Sequence, residues 1–206
     1  MVVIIDYGVG NLFSLASSFA AIGVEAKVSG DKHEIEKATH IILPGVGAFG
    51  DAAEKLFSSG MADVVKAQAK KGVPVLGICL GMQLLFEKSY EFGVYDGLGL
   101  ISGEIRPIAD VIPKDLKIPH IGWNALHFGE KKNEIFKYLT EGDHVYFVHS
   151  YYGADCQDVI ATADYGAPLT AAVAKGNVYG CQFHPEKSGP VGLNILRAFC
   201  EIGGQV

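Results

Sequence analysis

Long apolar runs are missing from this sequence: no stretch approaches the ~20 residues that cross a bilayer, so a membrane-spanning role is not expected. Basic residues are also few, 17 against 23 acidic ones for a formal charge of -6, and nowhere form a run. That balance argues against a surface built to track nucleic-acid phosphates and favours small molecules or proteins as partners. Cysteine is sparse: Cys79, Cys156, Cys181 and Cys200 make no CxxC pair. The N-terminus opens on the strand-like VVIID rather than on a basic, then apolar, export segment. Together these features predict a cytoplasmic protein with free thiols. No HxH, HxxxH or Cys/His pair stands at ligand spacing, so neither a metal site nor a cofactor is expected. A GxxxxGK[ST] loop is absent, and the glycines of Gly8-Val9-Gly10 only begin a dinucleotide fingerprint. Phe13 occupies the third glycine position, and Ala26-Lys27-Val28 stands where an acidic ribose partner would be needed.

What is present is enough for one core. At 206 residues, with 49% hydrophobic and 19% charged residues, the chain is long enough for one well-packed domain, residues 1–206, and short for two independent enzyme domains. The N-terminal half alternates Val/Ile-rich runs with segments of helical period. VVII (2–5), VEAKV (24–28), HIIL (40–43) and PVLGI (74–78) predict strands; helices are predicted near 11–22 and 61–70. This alternation predicts an α/β fold, a mostly parallel central sheet flanked by helices. After Gly97 the short runs HVYFVHS, DVIATA, LTAAVA and NVYGCQF predict additional antiparallel strands in the C-terminal half, before a last helix at about 190–201.

The chemistry concentrates in Gly77-Ile78-Cys79-Leu80-Gly81, where an apolar strand runs into a cysteine and a helical pattern follows. This is the cysteine counterpart of a strand-turn-helix nucleophile elbow, a turn so sharp that neighbouring side chains would clash and glycines are required. The helix N-terminus favours a thiolate, although a free cysteine between glycines is equally at home in packing. The other three cysteines lack such a setting and are assigned to packing or surface. A thiolate nucleophile needs a base, and the base needs an orienting partner. CQFHPEKSG offers both: His184 and Glu186 are two apart, which in extended backbone places them on one face, and Pro185 pushes His184 toward that geometry. Of the other six histidines, His33 and His40 sit in a polar helix-loop region, and His120, His127, His144 and His149 lack a comparably placed carboxylate. Leu80 N–H would supply one oxyanion donor, and the Pro44-Gly45-Val46-Gly47 turn after HIIL another, although such a turn also serves simply to enter a helix. Residue chemistry alone thus reaches a cysteine hydrolase or acyltransferase acting on an amide or ester, with the substrate open.

PGVGAFGDA, GICLGMQLLF and FHPEKSG, in that order, resemble the class I, triad-type glutamine amidotransferases. IIDYGVGNLFSL, PHIGWN and YFVHSYY narrow the resemblance to the glutaminase subunits of imidazole glycerol phosphate synthase, in histidine biosynthesis, over essentially the whole chain. The resemblance implies hydrolysis of glutamine to glutamate and ammonia through a thioester on Cys79, with His184 as acid and base and Glu186 orienting it. Leu80, Val46 and Gly47 would form the oxyanion site, and Gln83, Gly47, His149, Ser150 and Tyr151 would hold glutamine. It implies a separate (β/α)₈ cyclase partner that receives the ammonia, makes imidazole glycerol phosphate and an aminoimidazole carboxamide ribotide, and switches the glutaminase on when its ligand is bound. Asn11, Trp123, Tyr146 and Lys187 match positions that face that partner, although Trp123, the chain's single tryptophan, is equally suited to a core. Rival readings are a triad glutaminase serving pyridoxal phosphate or anthranilate synthesis, and a non-catalytic binding module on the same fold. A peptidase of the same elbow type is weakened by Leu80, where peptidase-like relatives often carry histidine.

Overall fold

Alternate residues of the first strand feed opposite sides of a sheet: Val3 and Ile5 enter one core, Val2 and Ile4 the other. Strands buried on both faces read as continuous apolar runs, and HIIL and VLGI are buried at every position. The computed structural model describes residues 1–203. In chain order its elements are β1 (Val2–Ile5), α1 (Leu12–Ala21), β2 (Ala26–Ser29), α2 (Lys32–Ile35), β3 (His40–Leu43), α3 (Phe49–Ser58), α4 (Met61–Lys70), β4 (Val75–Ile78), α5 (Leu80–Leu84), β5 (Lys88–Ser89), β6 (Tyr95–Asp96), β7 (Glu104–Pro107), β8 (His120–Ala125), β9 (His127–Phe128), β10 (His144–His149), β11 (Tyr151–Ala154), β12 (Val159–Asp164), β13 (Pro168–Lys175), β14 (Val178–Cys181) and α6 (Gly189–Cys200).

The main sheet has eight strands in the order β2-β1-β3-β4-β14-β13-β12-β9. From β2 to β14 every pair is parallel, and β14-β13-β12-β9 are antiparallel. The expected parallel sheet with antiparallel additions is therefore present, with β10-β8 and β11-β7-β5-β6 as two further small sheets. Helices cover both faces: α1 and α6 pack on one core, while α3, α4 and α5 pack on the other. The buried face of α6 follows the helical period, Gly192, Ile195, Leu196 and Phe199.

Three local expectations change. VEAKV begins its strand later, at Ala26, because Val24 N–H is used on Phe19 O to close the α1 turn. An additional helix, α3, fills residues 49–58; its buried Phe49, Ala52, Ala53 and Leu56 have helical spacing, and Gly60 with φ +72° separates it from α4. The helix after Cys79 is only five residues long and stops at Leu84.

Strand order in the sheet places the C-terminal ends of β3, β4 and β14 side by side, the edge where an open α/β sheet collects ligands. The two glycines flanking Cys79 are required there. A Cβ on Gly77 would lie 2.6 Å from Gly81 O, and one on Gly81 would collide with Leu43 O. Gly81→Ala should therefore lower stability by about 1–3 kcal/mol or more, measured by urea unfolding; an unchanged midpoint would refute the packing described.

Candidate active site

The strand-to-helix turn forces Cys79 to φ 55°, ψ −112°, a left-handed conformation that an L side chain adopts only under constraint. Cys79 N–H donates to Cys181 O at 2.8 Å, and Gln83 N–H donates to Cys79 O at 3.2 Å. These bonds tie the elbow to β14 on one side and to its own helix on the other. Chain continuation from β14 then delivers Gln182, Phe183 and His184 to the same edge.

His184 is buried, and its Nδ1 lies 2.8 Å from Glu186 Oε1. His184 itself is extended, as its proline neighbour requires, but Glu186 reaches it from a 3₁₀ turn over Pro185–Lys187. The two-residue spacing works through a turn closed by Lys187 N–H on His184 O at 3.0 Å, which corrects the extended geometry expected. Burial disfavours the charged ring, but its contacts with Cys79 and Glu186 outweigh that cost and raise the His184 pKa to about 9. The ring is thus prepared to carry a proton beside the sulfur.

A cavity of about 540 Å³ opens over the thiol, lined by Val46, Gly47, Cys79, Leu80, Gln83, His149, Ser150, Tyr151 and His184 among others. Every expected nucleophile, base, oxyanion and substrate residue thus lines one space, and Glu186 stands behind His184. Tyr7 OH donates to Pro44 O at 2.7 Å, anchoring the Val46–Gly47 turn from behind.

Four contributors were not anticipated. Gln182, fully buried, donates from Nε2 to Cys79 Sγ at 3.8 Å and accepts from Gln83 Nε2 at 3.0 Å. Glu91 is a buried carboxylate in the cavity wall, where burial pushes its pKa up against the pull of the Phe49 N–H it accepts at 2.7 Å. Glu91 sits in an irregular segment with no period, so only the fold brings it here. His120 stacks between Phe147 and Tyr165, with ring centroids 4.9 and 4.2 Å away. The fourth, Ser188, bonds to the backbone of His184.

Three of the other histidines bear on the surroundings of the cavity. His127 does meet a carboxylate, Glu141 at 3.2 Å, but both are largely exposed and neither lines the cavity. His149 and His120 form a directed chain: His149 Nδ1 donates to Tyr151 O at 2.8 Å, leaving Nε2 to accept from His120 Nδ1 at 3.0 Å. The remaining His120 nitrogen accepts from Asn124 Nδ2 at 3.3 Å. Such a chain needs both rings neutral.

Of the expected partner residues, Trp123 is 56% exposed, which removes it from the core. Its ring lies edge-on to Tyr146, centroids 6.2 Å apart, and Lys187 Nζ is 5.8 Å from the Tyr146 ring. Asn11 is exposed ahead of α1.

Burial, reinforced by the neighbouring His120 and His184, lowers the His149 pKa to about 4 despite its bond to Tyr151 O. Unfolded histidine takes up its proton near ~6.5, so the unfolded state binds more protons between these values. Stability therefore falls as pH drops through that window, by about 3 kcal/mol in full. His149→Gln should flatten this part of the unfolding free energy against pH; a slope equal to that of the unaltered protein would contradict the neutral pair.

Comparison with known proteins agrees with this geometry. Residues 3–202 match the family model "Glutamine amidotransferase class-I". Imidazole glycerol phosphate synthase subunit HisH of Caldanaerobacter subterraneus subsp. tengcongensis is 48% identical, with 98% of each chain covered. The subunit of the same name from Wolinella succinogenes is also 48% identical, covering 98% of this chain and all of its own. Among solved structures, a glutamine amidotransferase superimposes with TM-score 0.75 at 20% identity over 98% of both chains, and PurLQS from Thermotoga maritima with 0.73 at 20% over 97% of both. The chain belongs to the class-I glutamine amidotransferase family and, within it, to the HisH subunits of imidazole glycerol phosphate synthase.

Proposed function

We propose that this glutamine amidotransferase subunit of histidine biosynthesis hydrolyses glutamine on Cys79. The observation that carries the assignment of roles is the convergence of the strained Cys79, the His184–Glu186 pair and the Val46–Gly47 turn on one cavity. The Cys79 sulfur attacks the side-chain carboxamide carbon, and the oxyanion that forms is received by Leu80 N–H and the Val46–Gly47 turn. His184 takes the thiol proton and gives it to the departing nitrogen, so that the C–N bond breaks and ammonia leaves. Water then attacks the thioester with His184 as base, releasing glutamate and restoring the thiol. Glu186 holds the ring through Nδ1.

Substrate recognition follows from charge. Glutamine brings an ammonium group, and Glu91 is a buried carboxylate in the cavity wall suited to pair with it. Gln83, bonded to Gln182 and to Tyr151 O at 3.0 and 3.3 Å, shapes the opposite side with Gly47, His149, Ser150 and Tyr151.

The partner we infer is the (β/α)₈ cyclase subunit that consumes the ammonia. On β8 and β10, Ile121 at 58% exposure and Trp123 stand opposite Val148 and Tyr146. This apolar face continues into the cavity mouth, which Val148, Pro119 and Lys187 help to line. An apolar patch next to an active-site opening suits a subunit that receives a small product. With Asn11, Trp123, Tyr146 and Lys187 as contacts, the assembly is a heterodimer. The four free cysteines suit a cytoplasmic setting, and among the described residues no helix is long and apolar enough to cross a membrane. The whole chain, residues 1–206, acts as one domain in this reading.

Three outcomes test it. Cys79→Ala should lower kcat for glutamine hydrolysis by about 10⁴-fold or more, and retained activity would refute the nucleophile. Glu91→Gln should raise KM about 10- to 100-fold with kcat little changed; an unaltered KM would remove Glu91 from recognition. In this reading the cyclase's ligand acts by turning a Pro44–Gly47 peptide N–H, in place of its carbonyl, toward the oxyanion; one such donor is worth roughly 10²- to 10³-fold in kcat, so adding the cyclase with its nucleotide should raise kcat by about that much while KM moves little. Full activity of the isolated chain would contradict partner control.

A further inference from the structure

FHPEKSG contains a residue that the chemistry above does not use. Ser188 stands at the N-cap of α6, where a serine side chain ordinarily accepts an N–H from the first helical turn. It makes no such bond, and the first turn contains Pro190. The hydroxyl is turned the other way: Ser188 Oγ donates to His184 O at 2.6 Å and accepts Tyr146 N–H at 3.0 Å. His184 N–H in turn donates to Tyr146 O at 2.9 Å. Both backbone polar groups of His184 are therefore tied to Tyr146, one directly and one through the serine hydroxyl. Tyr146 is itself paired with Trp123 across β10 and β8, so the tie ends on a sheet.

Ser188 is 1% exposed, which leaves no room for solvent to replace the hydroxyl in these bonds. Its own backbone is fixed as well, with Ser188 N–H on Pro185 O at 3.0 Å and Gly192 N–H on Ser188 O at 3.2 Å. His184 O also accepts Lys187 N–H, the bond that closes the turn carrying Glu186. Removing the hydroxyl would leave the Tyr146 N–H without this acceptor and loosen His184 and Glu186 together. A misplacement of about 1 Å at a reacting group costs on the order of 10²-fold in rate.

We propose that Ser188 is a positioning residue for glutamine hydrolysis: its hydroxyl splices the backbone of His184 to β10 and so fixes the ring between Cys79 and Glu186. This rests on His184 being the base. The serine of the motif gives up a helix cap to do so, which accounts for its presence at a position whose capping bond is unmade.

The test is glutamine hydrolysis by Ser188→Ala, Ser188→Thr and His184→Ala, each in complex with the cyclase and its nucleotide. Ser188→Ala should lower kcat by about 10- to 100-fold with KM within about twofold, and should move the basic limb of the pH profile to lower pH. Ser188→Thr, which keeps the hydroxyl, should recover most of the rate. Wild-type kcat and pH profile in Ser188→Ala, or a lowered melting temperature with neither moved, would overturn the proposal. Activity retained in His184→Ala would instead overturn the role of the base and the proposal with it. If Ser188→Ala does not fold, hydrogen exchange in the unaltered protein decides: the Tyr146 amide should exchange as slowly as that of His184, and free exchange would overturn the clamp.

Discussion

The left-handed backbone of Cys79 is the constraint on which the site depends. A conformation of this kind costs about 1–3 kcal/mol and persists only where its surroundings leave no alternative. Here Gly77 and Gly81 allow β4, α5 and the end of β3 to approach one another closely, and Cys181 O holds the Cys79 amide from β14. The same contacts that impose the strain also bring His184 and the Val46–Gly47 turn to the cavity over the sulfur. The Pro44–Gly47 turn leaves β3 beside the elbow, and Gln182 to His184 leave β14 on its other side, so one turn determines where the proposed oxyanion donors and the proposed base lie.

Around this point the charges are arranged by sign. His184 is favoured in its charged form by the sulfur and by Glu186, while His149, in the same cavity wall, is kept neutral by burial and by the neighbouring His120 and His184. Two imidazoles in one cavity wall thus have opposite charge preferences; in the proposed mechanism the first moves protons, while the second bonds to the Tyr151 carbonyl. Tyr151 O accepts from both His149 and Gln83, which links that neutral chain to the substrate side of the cavity. Tyr7 has its hydroxyl pKa raised by burial and by Cys79, so it remains a donor to Pro44 O.

What was legible in the sequence is what local geometry encodes. The apolar runs of β1, β3 and β4, the helical spacing of α4 and α6, the elbow glycines and the His-Pro-Glu spacing each require only a few adjacent residues. Relationships formed by long-range packing were not legible. Glu91 reaches the cavity because Phe49 N–H captures its carboxylate across 42 residues, and Gln182 meets Gln83 across 99. Helix α3 has regular apolar spacing, yet the glycines at its start, Gly45, Gly47 and Gly50, read locally as a loop. Trp123 suited either core or surface until β8 turned Ile121 and Trp123 outward and His120 inward.

The central claim is that one thiol of four, Cys79, carries the reaction in a cavity shaped for glutamine. It is tested most directly by inactivating the protein with a glutamine-mimicking alkylator, mapping the modified residue by mass spectrometry, and repeating the reaction with excess glutamine. The account predicts a single modification on Cys79 that accompanies loss of activity and that glutamine prevents. Modification of Cys156, Cys181 or Cys200 in its place, or labelling of Cys79 that glutamine does not slow, would contradict it.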